Sequence, residues 1–416
     1  MHAIRTALIL IVGGASIPCR GALAQEAIQR VTLAQALESF AENNLALQIA
    51  RSEWSEAAGV ARQLRAYTNP TFSLVREDLG RSGREYWETT AGVVQRVEWP
   101  GRTSARGRVA THSVDAATAR LRADSLRLAY GVREAYVRAW LAEEAEQTVR
   151  RAASVLRTVA DAADRRLEEG DISTYEAGRL RLERLRAEQE VEEAWLQART
   201  ARRALAGSIA PGTDRHEVGP SEAPAGLPPA FTVVDALDAL DERPDMEEAR
   251  RELDAARART RVSATEWVPD PTLSLGYKDQ ADGFSGVAVT LNLPLPVFDR
   301  GAGTRQGASA RESAAAHRLD LTRTLAEIDL RAASERYDST RRRLEAGGGV
   351  MLAAAEALLA TAQGAYAEGE MTLLELLDAA EAFREARLSA LSLQSATWIA
   401  YYDLIRAMGT EPGDGL

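Results

Sequence analysis

Apolar positions along this chain follow two different periods. Through most of its length Leu, Val, Ile and Ala recur every three or four residues, the spacing that gathers them on one side of an α-helix. Two stretches alternate residue by residue instead, as a strand with one apolar face does. Between Trp267 and Gly301, Leu273, Leu275 and Tyr277 alternate with Thr272, Ser274, Gly276 and Lys278, and Val287, Val289, Leu291 and Leu293 alternate with Gly286, Ala288, Thr290 and Asn292. A short polar turn joins the two runs, and prolines close both ends. Asn69 to Arg102 follows the same plan about two hundred residues earlier. Strands are therefore expected at about 71–78 and 88–99, and again at about 272–279 and 285–294.

The remaining pattern is helical. Leu33, Leu37, Phe40, Leu45, Leu47 and Ile49 predict one helix from Thr32 to Tyr67, with Thr32 as its N-cap. Asn69-Pro70 ends it, because a residue before proline is pushed out of the α region. From Thr103 to about Glu168 nothing interrupts the helical pattern, and such a helix is roughly 100 Å long at 1.5 Å per residue. A pole of that length must lie along other poles. The return run, Ser173 to Ala206, has Ala177, Leu180, Ala187, Val191, Ala194, Ala198, Ala201 and Leu205 on a heptad seam of small knobs, broken only by Arg184. Thr372 to Met408 carries two adjacent seams, which implies neighbours on two sides; an ordinary antiparallel coiled coil would show the same. Gly347-Gly348-Gly349 lacks the Lys-Ser/Thr of a phosphate loop and is expected to relax a helix near a subunit seam.

These features occur twice. Thr232 to Leu237 echoes Thr32 to Leu37, Asp270-Pro271-Thr272 echoes Asn69-Pro70-Thr71, and Gly369 in AEGEMTL echoes Gly170 in EEGDIST. Landmarks in one order at a near-constant offset indicate duplication. The expected organisation is a segment 1–24, a first repeat over 25–210, a Pro/Gly linker over 211–229, a second repeat over 230–410 and a tail over 411–416. Each repeat reads helix, strand, strand, long helix, helix. The segment 1–24 has a basic start, the apolar run Ala7 to Val12 and a small-x-small site at Ala22-Leu23-Ala24, the features of a secretory signal peptide. The single cysteine, Cys19, lies within it; a lipid-attachment role is the alternative, and Pro18 fits that poorly. Cleavage after Ala24 would leave no thiol for a disulfide, a metal or catalysis.

Composition narrows the function. A net charge of −10 and a pI near 5.3 argue against a nucleic-acid partner. His112, His216 and His317 have no partner four residues away, so neither a metal site nor a cofactor is expected. No Ser/His/Asp arrangement stands out, and the chain does not read as an enzyme. No later segment has eighteen uncharged apolar residues, so no membrane-spanning helix is expected.

The hairpins carry the remaining signal. A soluble half-buried sheet would alternate in the same way. An exported chain, however, has an outer membrane available, strands of about nine residues suit a tilted barrel, and Tyr86, Trp87, Trp99, Trp267, Phe284 and Phe298 sit at strand ends, where an interfacial girdle would place them. Four strands cannot close a barrel, and open edges are not tolerated in lipid. Sharing strands among subunits resolves this, with the helices projecting as a tube.

The duplicated halves, the Asn69-Pro70 and Pro100-Gly101-Arg102 ends of the first hairpin, LPLPVFDRG at 293–301 and YAEGEMTLLELLDA at 366–379 together resemble the outer membrane efflux protein (TolC-like) family over essentially the whole mature chain. The last two motifs are most similar to its heavy-metal (CzcC-like) branch. The resemblance implies a mainly α protein with a membrane β-barrel: a homotrimer with a twelve-stranded barrel in outer-membrane lipid above a long α-helical barrel. It implies a periplasmic membrane-fusion adaptor and an inner-membrane pump of the resistance-nodulation-division (RND) type as partners. It makes Gly170, Asp171 and Ser173, with Gly369, Glu370 and Thr372, the adaptor-docking tips, beyond their plain role in reversing the helices. It makes Glu375 and Asp378, and more weakly Glu176, an acidic gate at the periplasmic mouth; as isolated residues they read equally as a solvated face. The function implied is a passive exit duct for efflux, with heavy-metal cations as one possible cargo. A duct for polypeptides or drugs is the alternative within that class, and a soluble periplasmic coiled-coil adaptor or scaffold the alternative outside it.

Overall fold

The structure is a computed structural model that describes residues 28–81, 84–99, 101–210, 217–224, 227–230, 239–265 and 267–410. Segment 1–24 with Cys19, the echo at Thr232 to Leu237, His216 and the tail 411–416 lie outside those residues. In chain order the elements are β1 (Gln29–Val31), α1 (Leu33–Asn43), α2 (Leu45–Arg65), β2 (Thr71–Arg81), β3 (Arg84–Arg96), α3 (Arg102–Glu169), α4 (Thr174–Ile209), β4 (Val218–Pro220), α5 (Pro244–Ser263), β5 (Thr272–Gln280), β6 (Ser285–Asn292), α6 (Ala302–Arg343), α7 (Gly349–Ala367) and α8 (Leu373–Met408).

The helices form four poles. α3 is one, unbroken over 68 residues. α6 and α7 form the second, joined through a π turn at Leu344–Gly348; the three glycines widen this helix without ending it. Each of the other two poles is a pair of helices stacked end to end, of 21 and 36 residues in the first half and 20 and 36 in the second. Asn44 breaks the helix expected from Thr32 to Tyr67: its backbone is extended, its Oδ1 accepts the Leu47 N–H at 3.1 Å, and its Nδ2 donates to the Ser208 carbonyl at 2.8 Å. One asparagine thus caps the start of α2 and holds the last turn of α4, so α2 stands on α4. In the second half Arg243 donates to the Ala407 carbonyl at 2.5 Å, seating α5 on α8. The poles lie side by side in the order α2/α4, α3, α5/α8, α6/α7.

Cores between the poles are thin and rich in alanine, as the seams predict. Near the far end Val159, Ala163, Leu180, Leu359, Leu376 and Phe383 pack together. At mid-height Phe40, Val132, Tyr136 and Leu205 form one cluster, and Leu330, Tyr337, Tyr401 and Leu404 form another. The α6–α7 pole contains one stretch long and apolar enough to cross a membrane by composition, interrupted by Glu356. It packs along α8 at the end of the molecule away from the sheet.

The described residues of the segment read as a linker lie against the bundle. β4 pairs in parallel with β1, Gln29 opposite Val218. Tyr337 Oη donates to the Pro229 carbonyl at 2.5 Å, and Arg341 donates to that of Pro228 at 3.2 Å. Nothing in a Pro/Gly-rich composition signals a three-residue strand.

The two hairpins join into one antiparallel sheet in the order β2-β3-β5-β6. Its registers line up Phe72, Val93, Leu275 and Val289 in one row and Leu74, Ala91, Tyr277 and Val287 in another. The intervening row is Ser73, Gly92, Gly276 and Ala288. Over these rows one face is apolar and the other small or polar; toward the first hairpin turn the pattern breaks, with Val75 and Leu79 on the Ser73 face and Arg76 and Asp78 on the Phe72 face. Gly92 and Gly276 face each other where the repeats meet; a Cβ on Gly92 would lie 2.7 Å from the Gly276 Cα and from the Leu275 carbonyl oxygen. Only glycine permits that approach.

Candidate functional site

Each end of the molecule carries a feature that the fold alone does not require. At the far end are the two helix reversals. α3 ends at Gly170 with φ +83°, and the second pole ends at Gly369 with φ +79°, left-handed positions that cost glycine nothing. The turns are built alike: the Gly170 and Asp171 N–H groups donate to Leu167 and Arg166, and those of Gly369 and Glu370 to Tyr366 and Ala365. Both are Schellman-type closures.

Each return helix then opens with a capping box. Ser173 Oγ accepts the Glu176 N–H at 3.2 Å, while Glu176 Oε2 accepts the Ser173 N–H at 2.9 Å. Thr372 and Glu375 repeat this at 3.3 and 2.8 Å. The backbone N–H of Ser173 holds the Glu176 carboxyl below the usual carboxylate range, and that of Thr372 does the same for Glu375. Asp378, one turn on, is exposed and has no ion-pair partner among the described residues. Asp171 and Glu370 are exposed as well. Ile172 and Met371 tuck inward against the end cluster, whereas Tyr175 and Leu374, one residue before each Glu, stay in solvent at 79% and 45% exposure. Eight of the nine residues expected at the gate and docking tips thus lie in two matching turns; the ninth, Asp378, lies one turn into α8, where the first half has Arg179 instead. The pair Tyr175 and Leu374 was missed, although the offset that matches Glu176 with Glu375 also matches these two.

At the other end the apolar face of the sheet lies bare. Phe72, Leu275, Val287, Val289 and Leu291 are all more than half exposed, and none of the helices covers them. Tyr86, Trp87 and Phe284 lie toward the hairpin turns, and Trp99, Trp267 and Phe298 toward the helices; Trp87 shares the apolar face with Val93, whereas Tyr86 beside it points to the opposite face with Gly92. β2 and β6 have one unpaired edge each.

Two buried charge clusters brace the structure between these ends. Beneath the sheet, Asp270 is almost fully enclosed and receives Arg96 at 2.8 Å and Arg102 at 2.5 Å. Arg102 also donates to the Thr265 and Val268 carbonyls, both at 2.7 Å. At mid-height buried Arg202 bonds Glu217 at 2.8 Å and Glu143 at 3.3 Å, and Arg30 reaches Glu143 at 2.5 Å. Burial alone would raise the Glu217 carboxyl, but Arg202 and Arg199 outweigh it and hold it low. Sequence reading found neither cluster, because the partners lie on different elements far apart in the chain. Among the described residues no group of His, Cys, Asp and Glu side chains has the makings of a metal site.

Comparison with known proteins agrees with this arrangement. The model of the family described as outer membrane efflux protein matches residues 36–210 and 237–410, one match for each repeat. The chain is similar to the cobalt-zinc-cadmium resistance protein CzcC of Cupriavidus metallidurans, with 28% identity covering 92% of this chain and 91% of that one. It is similar to the nickel-cobalt-cadmium resistance protein NccC of Alcaligenes xylosoxydans xylosoxydans, with 28% identity over 68% of this chain and 65% of that one. Among solved structures it resembles the outer membrane protein VceC of Vibrio cholerae, with a TM-score of 0.74 and 22% identity over 91% of this chain and 96% of that one. The family model matches both repeats, and on that match the chain belongs to the outer membrane efflux protein family.

Proposed function

We propose that this protein is the outer-membrane exit duct of a tripartite efflux system: a passive homotrimeric channel that receives its cargo from a periplasmic adaptor and an inner-membrane pump of the RND type. The observation that carries the reading is the sheet. Its apolar face is uncovered, both edges are open, and its strands of 8 to 13 residues are long enough to cross a hydrocarbon layer at a tilt. Three copies joined edge to edge would make twelve strands with the apolar face toward lipid and the row of Ser73, Gly92, Gly276 and Ala288 toward the lumen. The helices continue below as the periplasmic tube. The first 24 residues would direct export and be removed.

The cargo assigned is heavy-metal cations, supported by the similarity to CzcC and NccC, whose names place them in metal resistance. The tips Gly170 to Ser173 and Gly369 to Thr372 dock the adaptor, with Tyr175 and Leu374 as the apolar part of the contact. Glu375 and Asp378, with Glu176, line the mouth and hold cations there.

Two measurements test the proposal. Protein extracted in detergent and reconstituted in planar bilayers is expected to insert and conduct; extraction without detergent, with no conductance, rules it out. Deletion of the gene is expected to sensitise its host to zinc, cobalt or cadmium; unchanged tolerance to all three, with conductance intact, removes the metal assignment alone.

A further inference from the structure

A groove of about 350 Å³ lies below the sheet and is lined from α2, α3, α5 and α6 together. Four successive poles of a single layer share a groove only on the concave side, and that side becomes the lumen once copies close the layer into a tube. Within it, Glu248 on α5 is half-buried and has no ion-pair or hydrogen-bond partner among the described residues. Arg120, the basic group facing it from α3, is shared with Glu53 of α2 at 3.6 Å and Asp124 at 3.8 Å. Glu252 lies one turn along α5, and Asp245 stands at that helix's start. Arg311 and Arg318 face the groove from α6, and Arg259 of α5 donates to Ser113 at 3.1 Å.

Its lining carries four carboxylates (Glu53, Asp124, Glu248 and Glu252) against four guanidiniums (Arg120, Arg259, Arg311 and Arg318). The groove is therefore balanced while Glu248 is ionised and positive once it is protonated. Burial pushes the Glu248 carboxyl up to about 7, with Glu252, Asp124 and Asp245 adding to the rise and Arg120 opposing it. The balance thus changes in the range of pH that an outer-membrane channel meets.

We propose that this groove is a selectivity station of the channel, in which ionised Glu248 lets cations pass and its protonation turns the station against them. Three copies would repeat the station at one level of the tube, and each acts on ions that pass within about 8 Å of the wall, the screening distance at physiological ionic strength. Metal cations would then leave most freely at neutral to alkaline pH. The inference rests on the channel reading above.

The test is the reversal potential of the reconstituted protein in a KCl gradient from about pH 6 to about pH 8. Wild type is expected to shift toward cation permeability as pH rises, with a midpoint of about 7. Glu248→Gln is expected to remove the shift and hold the channel at its acid-side value, while Glu252→Gln keeps a shift but moves its midpoint to lower pH, because Glu252 helps to raise the Glu248 carboxyl. A flat wild-type profile overturns the station without recourse to any variant, and so does a shift that survives Glu248→Gln. Failure to conduct at any pH instead removes the channel reading, and the station with it.

Discussion

Glu176 and Glu375 each close a capping box with the same carboxylate that the gate reading needs, so a substitution there can change charge, helix start or both. The chain itself offers a way to separate them. In α1 the equivalent place is held by Gln35, whose Oε1 accepts the Thr32 N–H at 2.9 Å. Glu375→Gln with Asp378→Asn is therefore expected to keep the tip folded while changing single-channel conductance or cation preference. Conductance equal to wild type would remove these two residues from the gate. Because the caps hold both glutamates below the usual carboxylate range, their stabilising effect is present above about pH 4.5 and is lost as pH falls through the lowered values. Amide protection at residues 173–177 and 372–376, corrected for the intrinsic exchange rate, is expected to fall in acid as the two carboxylates are protonated. Asp270 sets a larger stake. Asp270→Ala leaves Arg102 buried without its counter-charge, a change that costs about 3 kcal/mol, and thermal unfolding should report that loss.

The helices and strands were legible in the sequence because their periods are long and regular. The joints between them were not. Asn44 breaks a helix whose apolar spacing runs straight through it, since the break depends on Ser208, a carbonyl on α4. β1 and β4 are too short to show alternation, and the charges around Arg202 meet only in three dimensions. The π turn was legible only as three glycines. Duplication, by contrast, was plain in the sequence and now gives a quantitative expectation for the free edges. Within the chain Gly92 of β3 stands opposite Gly276 of β5. Thr71 and Thr272 hold equivalent places in β2 and β5, as do Val94 and Asn292 in β3 and β6. Carrying the inner pairing over to the outer edges sets Asn292 of one subunit opposite Ser73 of the next, with both side chains on the polar face. Ser73→Cys with Asn292→Cys should therefore cross-link the protein into trimers under oxidation, in the closely spaced kind of antiparallel pair. Cross-links at Arg76 with Asn292 but not at Ser73 would refute the register.

At the scale of the whole molecule the apolar residues that a globular fold would hide are on the outside, in places that complement one another. Leu45, Ile49 and Val60 form a stripe on α2, and Leu321, Leu325 and Ile328 form one on α6. These helices belong to the first and last poles of the layer, so the stripes mark its two free sides. They also lie at matching depths: Leu45 is twenty residues below the upper end of α2, and Leu321 nineteen below the start of α6. A second copy set beside the first would bring the stripes together. The sheet needs the same neighbour to satisfy its edges, so both halves of the molecule call for one arrangement. Each buried leucine contributes about 1.5–3 kcal/mol, and a charge in its place would have to be left without a partner. Leu321→Glu with Leu325→Glu is therefore expected to yield a protein that keeps its helical content yet sediments as a monomer in detergent and opens no channels. Trimers that persist with wild-type conductance would show that the helical stripes play no part in assembly and that the barrel alone holds the subunits together.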